Sequence, residues 1–429
     1  MNSLQHATWK KSRSCAVLLL TFCLIGASVA ASAQEENTAS TLLTEANVSG
    51  SLRGSFWRVD NNVAGDNDFA LAEWWLKAAP RIGQDARLVL DGWVRDEGIS
   101  NRVKTQGALR EGYLNFSQGN ADFRLGKQII VWGRADQLNP TDNLSPRNNT
   151  LFVLESDDQR LGTVALKTSY HFPDLAVSGI LLPYFQPNKQ PIFGENGITF
   201  VESIPQGSQY AFKLEQAGQA VDWSVSYFQG FDLNPDMAII SIQQNALVLS
   251  LQHNKIKVLG ADAATVVGRY GLRTEAAYTW TEDPSGSDPY VKNDFFYGVV
   301  GADRTFFEYL NLNLQYYVRQ ISNYNDPRLI ANNIVAIKQA VLSSQLDYFQ
   351  HGASLRMSYK WLNETLEAEV SAVASFTYRD YILRPKLSYS FDDHWKGSLG
   401  ANLFQGDKDT LFGSLKDRSA IFAEMRYNY

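Results

Sequence analysis

Hydrophobic and polar residues alternate with a period of two along most of this chain, in segments of about ten residues. The alternation is most regular at residues 85–95, 310–319, 353–361 and 366–376, where one face is apolar and the other carries full charges. Successive side chains of a β-strand point to opposite faces of the sheet. Each segment therefore predicts a strand with one hydrophobic and one charged face, which is typical of a transmembrane β-barrel.

Aromatic residues distinguish a membrane barrel from a soluble β-sandwich, which also alternates but buries its apolar face. Membrane barrels carry aromatic girdles where their strands meet the two interfaces. The expected girdle positions, all near the ends of predicted strands, are Trp57, Trp74, Tyr227, Tyr278, Trp280, Tyr359, Trp361, Tyr389 and Phe391. After residue 33 the chain has no apolar run of about 18 residues, so no transmembrane helix is expected. The sequence predicts an all-β fold, a transmembrane antiparallel up-and-down β-barrel.

The number of strands and the lengths of their connections are consistent with each other. The predicted strands, about 18 in all, are 47–58, 68–79, 85–96, 107–117, 121–132, 160–171, 174–184, 208–217, 220–230, 255–267, 270–281, 294–305, 309–321, 350–361, 365–378, 381–391, 395–405 and 419–429. Short and long connections alternate, as expected when periplasmic turns are short and extracellular loops are long. The connection around Arg379–Asp380 is an exception, since it is short on the long-loop side. A miscount by one hairpin would leave 16 strands.

The N-terminus has the pattern of a secretory signal. A basic stretch at residues 10–13 precedes an apolar run at 15–25, and an A-x-A site ends at Ala33, before Gln34. The apolar run is too short for a membrane-spanning helix, which needs about 20 residues. The expected segments are a signal peptide at 1–33 cleaved between Ala33 and Gln34, a short periplasmic segment at 34–46, and a single barrel domain at 47–429.

Composition and charge exclude several other classes of protein. The 2 Cys, Cys15 and Cys23, both lie in the signal segment, so no disulfide framework or Cys-ligated metal is expected after export. The formal net charge of −6 becomes −9 on loss of the signal, which contains Lys10, Lys11 and Arg13 and no acid. Such a chain is not expected to bind nucleic acid, which requires a basic surface.

No catalytic, metal or cofactor site stands out. The four His residues after the signal are not near a Ser with an orienting acid, which a barrel hydrolase would need, so no enzyme is expected. Asp136, Asp142 and Asn143 lie in a turn-rich segment and are candidate oxygen ligands for Ca²⁺. Asx side chains in turns usually bond to their own backbone, and we therefore expect neither a metal nor a cofactor.

Three local features carry separate expectations. Pro385 lies inside a predicted strand and cannot donate to the ladder, so we expect a bulge or bend there. Lys127 falls on the lipid side by strict alternation, which predicts either a bulge near Gly126 that turns it inward or a position near the interface. Residues 326–346 predict a helix in a loop, capped by Asp326, with Pro327 in its first turn and an apolar stripe of Ile330, Ile334, Ile337 and Val341. This helix either packs over the barrel mouth or folds into the lumen as a plug.

Charged residues on the inner face of the strands determine the selectivity of a pore. The residues expected to line the lumen are Arg87, Arg95, Arg124, Arg319, Arg356, Lys360, Arg384, Lys386, Glu73, Asp91, Glu367 and Glu369. A basic path for an anionic solute is one interpretation, formed by Arg319, Arg356, Lys360, Arg384 and Lys386. The other is that Arg–Glu ladders only brace the wall.

Two parts of the sequence resemble a known group of proteins. The first contains RLGKQ at residues 124–128, Trp132-Gly133 and NPTDN at 139–143; the second contains LGAD at 259–262 and EAAY at 275–278. Both are similar to large outer-membrane barrels of the alginate-export type and their uncharacterised porin-like relatives. The resemblance implies an outer-membrane channel of a Gram-negative bacterium, for an anionic polysaccharide or another organic anion.

We therefore expect a porin that transports small or polymeric, anionic solutes through a mixed-charge lumen rich in Arg and Lys. A surface-attachment or polysaccharide-binding barrel with a closed lumen is the alternative. The expected partners are outer-membrane lipids and lipopolysaccharide, and the outer-membrane assembly machinery through the C-terminal Tyr429. The oligomeric state and the direction of transport stay open.

Overall fold

The computed structural model describes residues 46–60, 67–97, 104–192, 197–218, 220–243, 246–330 and 334–429. The expected signal peptide and its cleavage site at Ala33 and Gln34 lie outside these residues. Within them, the long antiparallel strands form one sheet that closes on itself. We label these barrel strands β1 to β18 in chain order. Their bounds are Ser49–Val59 (β1), Asp68–Ala78 (β2), Ala86–Glu97 (β3), Lys104–Gln118 (β4), Ala121–Gln128 (β5), Thr163–His171 (β6), Ala176–Leu182 (β7), Gln209–Gln216 (β8), Val221–Phe231 (β9), Lys255–Val267 (β10), Tyr270–Trp280 (β11), Phe295–Phe306 (β12), Leu310–Ile321 (β13), Phe349–Trp361 (β14), Leu366–Ser375 (β15), Asp380–Ser390 (β16), Trp395–Gln405 (β17) and Ala420–Asn428 (β18).

The last strand closes the barrel by pairing with the first. The β1–β18 register runs from Ser51 opposite Asn428 to Val59 opposite Ala420. Just beyond it, Gly50 and Tyr429 exchange both backbone hydrogen bonds at 3.1 Å. Closure leaves the sheet without an edge strand. The predicted 18-strand barrel is confirmed, and the alternative count of 16 is wrong.

The connections between strands differ at the two ends of the barrel. One end, here called the short-turn end, contains the start of β1, the end of β18 and the connections 79–85, 119–120, 172–175, 217–220, 268–269, 307–309, 362–365 and 391–394. A two-residue strand, Arg81–Ile82, pairs with β3 in the first of these. At the long-loop end, the connections 129–162, 281–294, 376–379 and 406–419 are described in full, and 183–208, 232–254 and 322–348 in part. The connection at 376–379 is short, as the sequence predicts.

The wall has an apolar outer face and a mixed inner face. Leu314 on β13 and Tyr389 on β16 are 53% and 40% exposed on the outside, where lipid would cover them. The expected girdle position of Trp57 is wrong. Trp57 is fully buried and points inward, because the adjacent Phe56 takes the outward position with 51% exposure.

Neither of the bulges expected at Pro385 and near Gly126 is present. The register between β16 and β17 is continuous, and only the pairs at Arg384 and Pro385 are missing, so Pro385 causes no bulge. The register on both sides of Gly126 is also continuous. The bulge lies in β4 instead, where Arg110 is skipped opposite β3. Lys127 lies one residue before the end of β5, and this is the position near the interface that was the second expectation.

The helix expected at 326–346 is shorter than predicted. Asp326 accepts a hydrogen bond from the Arg328 backbone at 2.9 Å and caps a 3₁₀ turn, Pro327–Leu329, as expected. The α-helix, α1, spans Ile334–Leu342. Its packed face is not the predicted stripe, since Ile334 is 66% exposed.

Helix α1 lies on loops at the long-loop end. The loop strands Asp236–Gln243 and Ala246–Gln252 form a hairpin that pairs with Ile198–Ser203. Val335 of α1 packs against this hairpin, and Gln339 donates to Asp236 and accepts from the Met237 backbone at 2.6 Å. These buried polar contacts orient the helix over the mouth of the barrel.

Among the described residues, no helix combines the length and the hydrophobicity that crossing a membrane requires.

Candidate functional site

One connection, residues 129–162, folds into the barrel and is called the constriction loop below. Near its start, Gln137 donates to the Leu355 carbonyl of β14 at 3.1 Å. Near its end, Asp158 pairs with Arg53 of β1 at 2.6 Å. Both partners lie in the middle of their strands, and β14 and β1 are several strands apart around the wall. The loop therefore crosses the lumen between the two ends of the barrel.

A buried carboxylate on the wall anchors the first half of this loop. Oε1 of Glu275 accepts bonds from the backbone N and Oγ1 of Thr141, both at 2.8 Å, and Oε2 accepts the backbone N–H groups of Arg134 at 3.0 Å and Ala135 at 3.1 Å. Glu275 is 1% exposed. Gly133 has φ +92°, and a Cβ at this position would overlap the Glu275 carboxylate. Only glycine allows the loop to approach so closely.

The Arg134 side chain joins the loop to two neighbouring sections of the wall. Its Nε donates to Asp262 of β10 at 2.6 Å, and its Nη2 contacts Glu215 of β8 at 2.9 Å. On the wall, Gly260 is in close contact with Thr141, which leaves no room for a Cβ. The two sequence segments that carry the family resemblance thus contact each other in three dimensions. The sequence features that carry the family resemblance therefore lie where the loop docks on the wall.

A second buried ion pair lies inside the loop itself. Asp142 accepts from Arg160 at 2.8 Å, and Arg147 lies 3.8 Å from the same carboxylate. Burial raises the pKa of the Asp142 carboxyl, and the two arginines lower it in part. Burial and the nearby Arg160 lower the pKa of the Arg147 guanidinium. The pair joins the middle of the loop to its C-terminal end.

Apolar side chains attach the far side of the loop to the wall. Phe152 packs against Trp57 and Phe69, with ring centroids 5.5 and 5.1 Å apart. Leu151 packs against Trp75 and Trp93 on the inner face of β2 and β3. These inward aromatic residues therefore form a seat for the loop, which explains why Trp57 does not face lipid.

All twelve residues predicted to line the lumen occupy inward-facing positions of their strands. Most have a counter-charge or another polar partner. The pairs are Arg95 with Glu73, Asp91 with Arg110, Arg356 with Glu369 and Asp136, Lys386 with Glu155 and Glu369, and Lys360 with Glu364, while Arg319 donates to the Ser343 carbonyl. For these residues the geometry favours the bracing interpretation. The remaining four, Arg87, Arg124, Arg384 and Glu367, have no ion pair within the described part of the chain.

Among the described residues, the unpaired cations of the inner wall include two on β5 and β6 and one on β16. Arg124 of β5 is directly opposite Lys167 of β6, and neither has a carboxylate within 4.0 Å among the described residues. Like charges in directly opposite positions destabilise a sheet. Arg384 of β16 points inward, and the positive charge of Arg147 in the constriction loop repels it. These groups can attract an anion, because none of them is neutralised by a direct ion pair within the described residues.

Several residues of this site were not singled out from the sequence. Arg134 and Glu275 join the constriction loop to strands that are far away along the chain. The unpaired charge of Lys167 also becomes evident only when the neighbouring strands are known. The one available signal was the pair of segments that carry the family resemblance, because Gly133, Thr141, Gly260 and Glu275 all lie in or next to them.

The candidate calcium ligands have other partners. Asp136 lies 3.6 Å from Arg356, and Asp142 is paired with Arg160. Asn143 donates to the Pro140 carbonyl at 3.3 Å, as expected for an Asx residue in a turn. In the described part of the chain, no group of three or more His, Cys, Asp or Glu residues is arranged to hold a metal ion.

Comparison with known proteins assigns a family. Residues 84–429 match DUF1302, described as a protein family of unknown function. The chain belongs to the DUF1302 family. No curated protein sequence matches this DUF1302 chain.

Solved structures similar to this DUF1302 barrel are outer-membrane channels. OccK5 (OpdH) of Pseudomonas aeruginosa aligns with a TM-score of 0.52 at 10% identity, over 89% of this chain and 96% of its own. OccAB3 of Acinetobacter baumannii has a TM-score of 0.52 at 10% identity, covering 89% and 98%. OpdK of Pseudomonas aeruginosa, solved with vanillate, has a TM-score of 0.53 at 9% identity, covering 89% and 98%. At these identities the similarity establishes the fold, which is that of an outer-membrane porin.

Proposed function

We propose that this protein is an outer-membrane channel for small organic anions, and that the constriction loop selects them. The observation that carries the proposal is the loop crossing the lumen of a closed barrel, beside inward cations that have no acid partner. Arg124 and Lys167 lie on one part of the wall and Arg384 on another. An anion that passes the loop would replace the missing counter-charge at each place.

The barrel geometry supports one orientation in the membrane. Outer-membrane barrels place short turns in the periplasm and long loops outside the cell, so the long-loop end would face outward in a Gram-negative bacterium. The exposed outer face would contact lipid and lipopolysaccharide. The C-terminal Tyr429 would be recognised by the assembly machinery. Its hydroxyl accepts from Trp74 Nε1 at 2.6 Å on the outer face.

The solute class is supported by charge and by one structural relative. Vanillate, present in the OpdK structure, is an organic anion, so a barrel of this fold can accommodate one. The polymeric cargo implied by the alginate-export resemblance stays a prediction.

Ion selectivity of the refolded protein in a planar bilayer tests the proposal. In a salt gradient the wild-type channel is expected to prefer anions. The double variant Arg124→Gln, Lys167→Gln should shift the reversal potential toward cation preference. Lys257→Gln, at an exposed outward position of β10, is the matched control and should change nothing. Cation preference of the wild type would contradict the proposal.

The closed attachment barrel remains the second candidate, favoured by the apolar hairpin above the mouth. Ile240 and Ile242 are 54% and 73% exposed there. A protein that migrates as a folded barrel on a gel but passes no current would support attachment. Discrete current steps would exclude a closed lumen.

A further inference from the structure

A separate pocket lies above the constriction loop, between the inner wall and the loops of the mouth. Its volume is about 220 Å³. Leu138 of the constriction loop, Val341 of α1 and Phe412 of loop 406–419 line it from three directions. The rings of Tyr297 and Tyr317 line it from β12 and β13. The pocket is therefore walled by apolar and aromatic groups, with few charged ones.

An acid with an unused acceptor lies at one end of the pocket. Asp380, the first residue of β16, is 1% exposed. Its Oδ2 accepts the Phe412 backbone N–H at 2.8 Å, but Oδ1 is buried and has no partner among the described residues. A buried carboxylate oxygen without a donor is costly. A ligand that brings an N–H or O–H donor, and above all a cation, would satisfy it.

A cation with unused donors lies at the other end. Arg319 of β13 stacks over Tyr297 at 4.6 Å and uses Nη1 to donate to the carbonyls of Ser343 and Ser344. A guanidinium has five N–H donors, so Nε and Nη2 retain donors for a ligand. β13 and β16 are three strand spacings apart, about 14 Å between backbones. The long Arg319 side chain shortens this gap to the scale of a small molecule.

We propose that this pocket binds a small aromatic zwitterion, with its ammonium at Asp380, its carboxylate at Arg319 and its ring among the tyrosines. Both charges of such a ligand meet an opposite charge, whereas a simple anion would leave Asp380 without a donor. The inference goes beyond the proposed function, because binding in the mouth does not require conduction. A failed ion-selectivity test leaves it intact, and its own failure leaves the channel proposal intact.

Calorimetric titration of the refolded full-length barrel with three related probes tests the proposal. L-phenylalanine carries both charged groups, 3-phenylpropionate lacks the ammonium, and 2-phenylethylamine lacks the carboxylate. L-phenylalanine is expected to bind about tenfold or more tightly than either truncated probe, as lost hydrogen bonds to charged groups imply. Equal affinity for all three probes, or binding of none by a folded barrel, would overturn the proposal.

Two variants separate binding from folding. Asp380→Asn should weaken L-phenylalanine and 2-phenylethylamine but not 3-phenylpropionate. Arg319→Gln should weaken L-phenylalanine and 3-phenylpropionate but not 2-phenylethylamine. Arg273→Gln, on the inner wall outside the pocket, should leave all three affinities unchanged. Because each pocket variant keeps one probe, a general loss of structure cannot imitate this pattern, and parallel losses for every probe would contradict the assignment.

Discussion

Replacing Glu275 by Gln should release the first half of the constriction loop. The carboxylate accepts four hydrogen bonds from Arg134, Ala135 and Thr141. A Gln side chain keeps one acceptor oxygen and turns an NH₂ group toward two of these donors. Bonds to a charged group contribute about 1.5–3 kcal/mol each, so losing two costs about 3–6 kcal/mol. The Arg134 ion pairs remain in the variant and still hold the loop, so we use the lower free-energy cost, about 3 kcal/mol. This cost changes the ratio of docked to released loop by about two orders of magnitude.

Single-channel recording in a planar bilayer measures the release. Glu275→Gln should show frequent excursions to a higher conductance, while the wild type stays at one level. Glu367→Gln removes the same charge from an inward position that has no hydrogen bond or ion pair within the described residues, and it should resemble the wild type. Heat-modified gel mobility checks that each barrel is folded. The reasoning is refuted if Glu275→Gln gives a trace as quiet as the wild type, or if Glu367→Gln is equally unstable.

Three further predictions concern the loop and the chain end. Arg160→Met leaves the buried Asp142 without its 2.8 Å partner, which costs about 3–5 kcal/mol, so hydrogen exchange in the loop should rise. Arg58→Met breaks an exposed ion pair and should leave this exchange unchanged. Equal exchange in the two variants would contradict the prediction. Burial tends to raise the pKa of Glu155, but Lys386 pairs with it and lowers the pKa below its ordinary 4.5. The pair is thus intact above pH 4.5 and lost as the pH falls through the lowered value, so current noise that already rises between pH 6 and 5 would oppose the assignment. Tyr429→Ala should slow insertion into the outer membrane in cells more than refolding in detergent, with Tyr427→Ala as control; equal delays in both settings would argue against recognition of Tyr429.

The barrel could be predicted from the sequence because its signal is local. Each strand shows its alternation within about ten residues, and the 18-strand count follows from the connections. The inner face was less predictable, because alternation does not say whether an inward position meets water or another part of the chain. The alternation predicts Trp57 at the lipid interface, yet in the structure Trp57 packs inward against Phe152. The buried face of α1 is set by a contact of Gln339 with a distant hairpin, which no periodicity of the helix itself contains.

The constriction loop was the largest feature that the sequence did not predict. Its docking depends on Glu275, Asp262 and Leu355, and no local pattern reports contacts over such separations. The sequence suggests residues 326–346 as a plug because their pattern predicts a helix. The segment that crosses the lumen has little regular structure, and its turns are stabilised by side chains such as Asn143 and Ser145.

The position of the constriction loop along the chain has a consequence for the order of assembly. Residues 129–162 are made early, but their partners Glu275, Leu355 and Lys386 follow up to 231 positions later. Closing such distant contacts is slow and requires the later strands to be in place. The seam at Gly50 and Tyr429, which joins the two ends of the barrel, is also late. A nascent barrel would therefore have a wider lumen before the loop docks than after it.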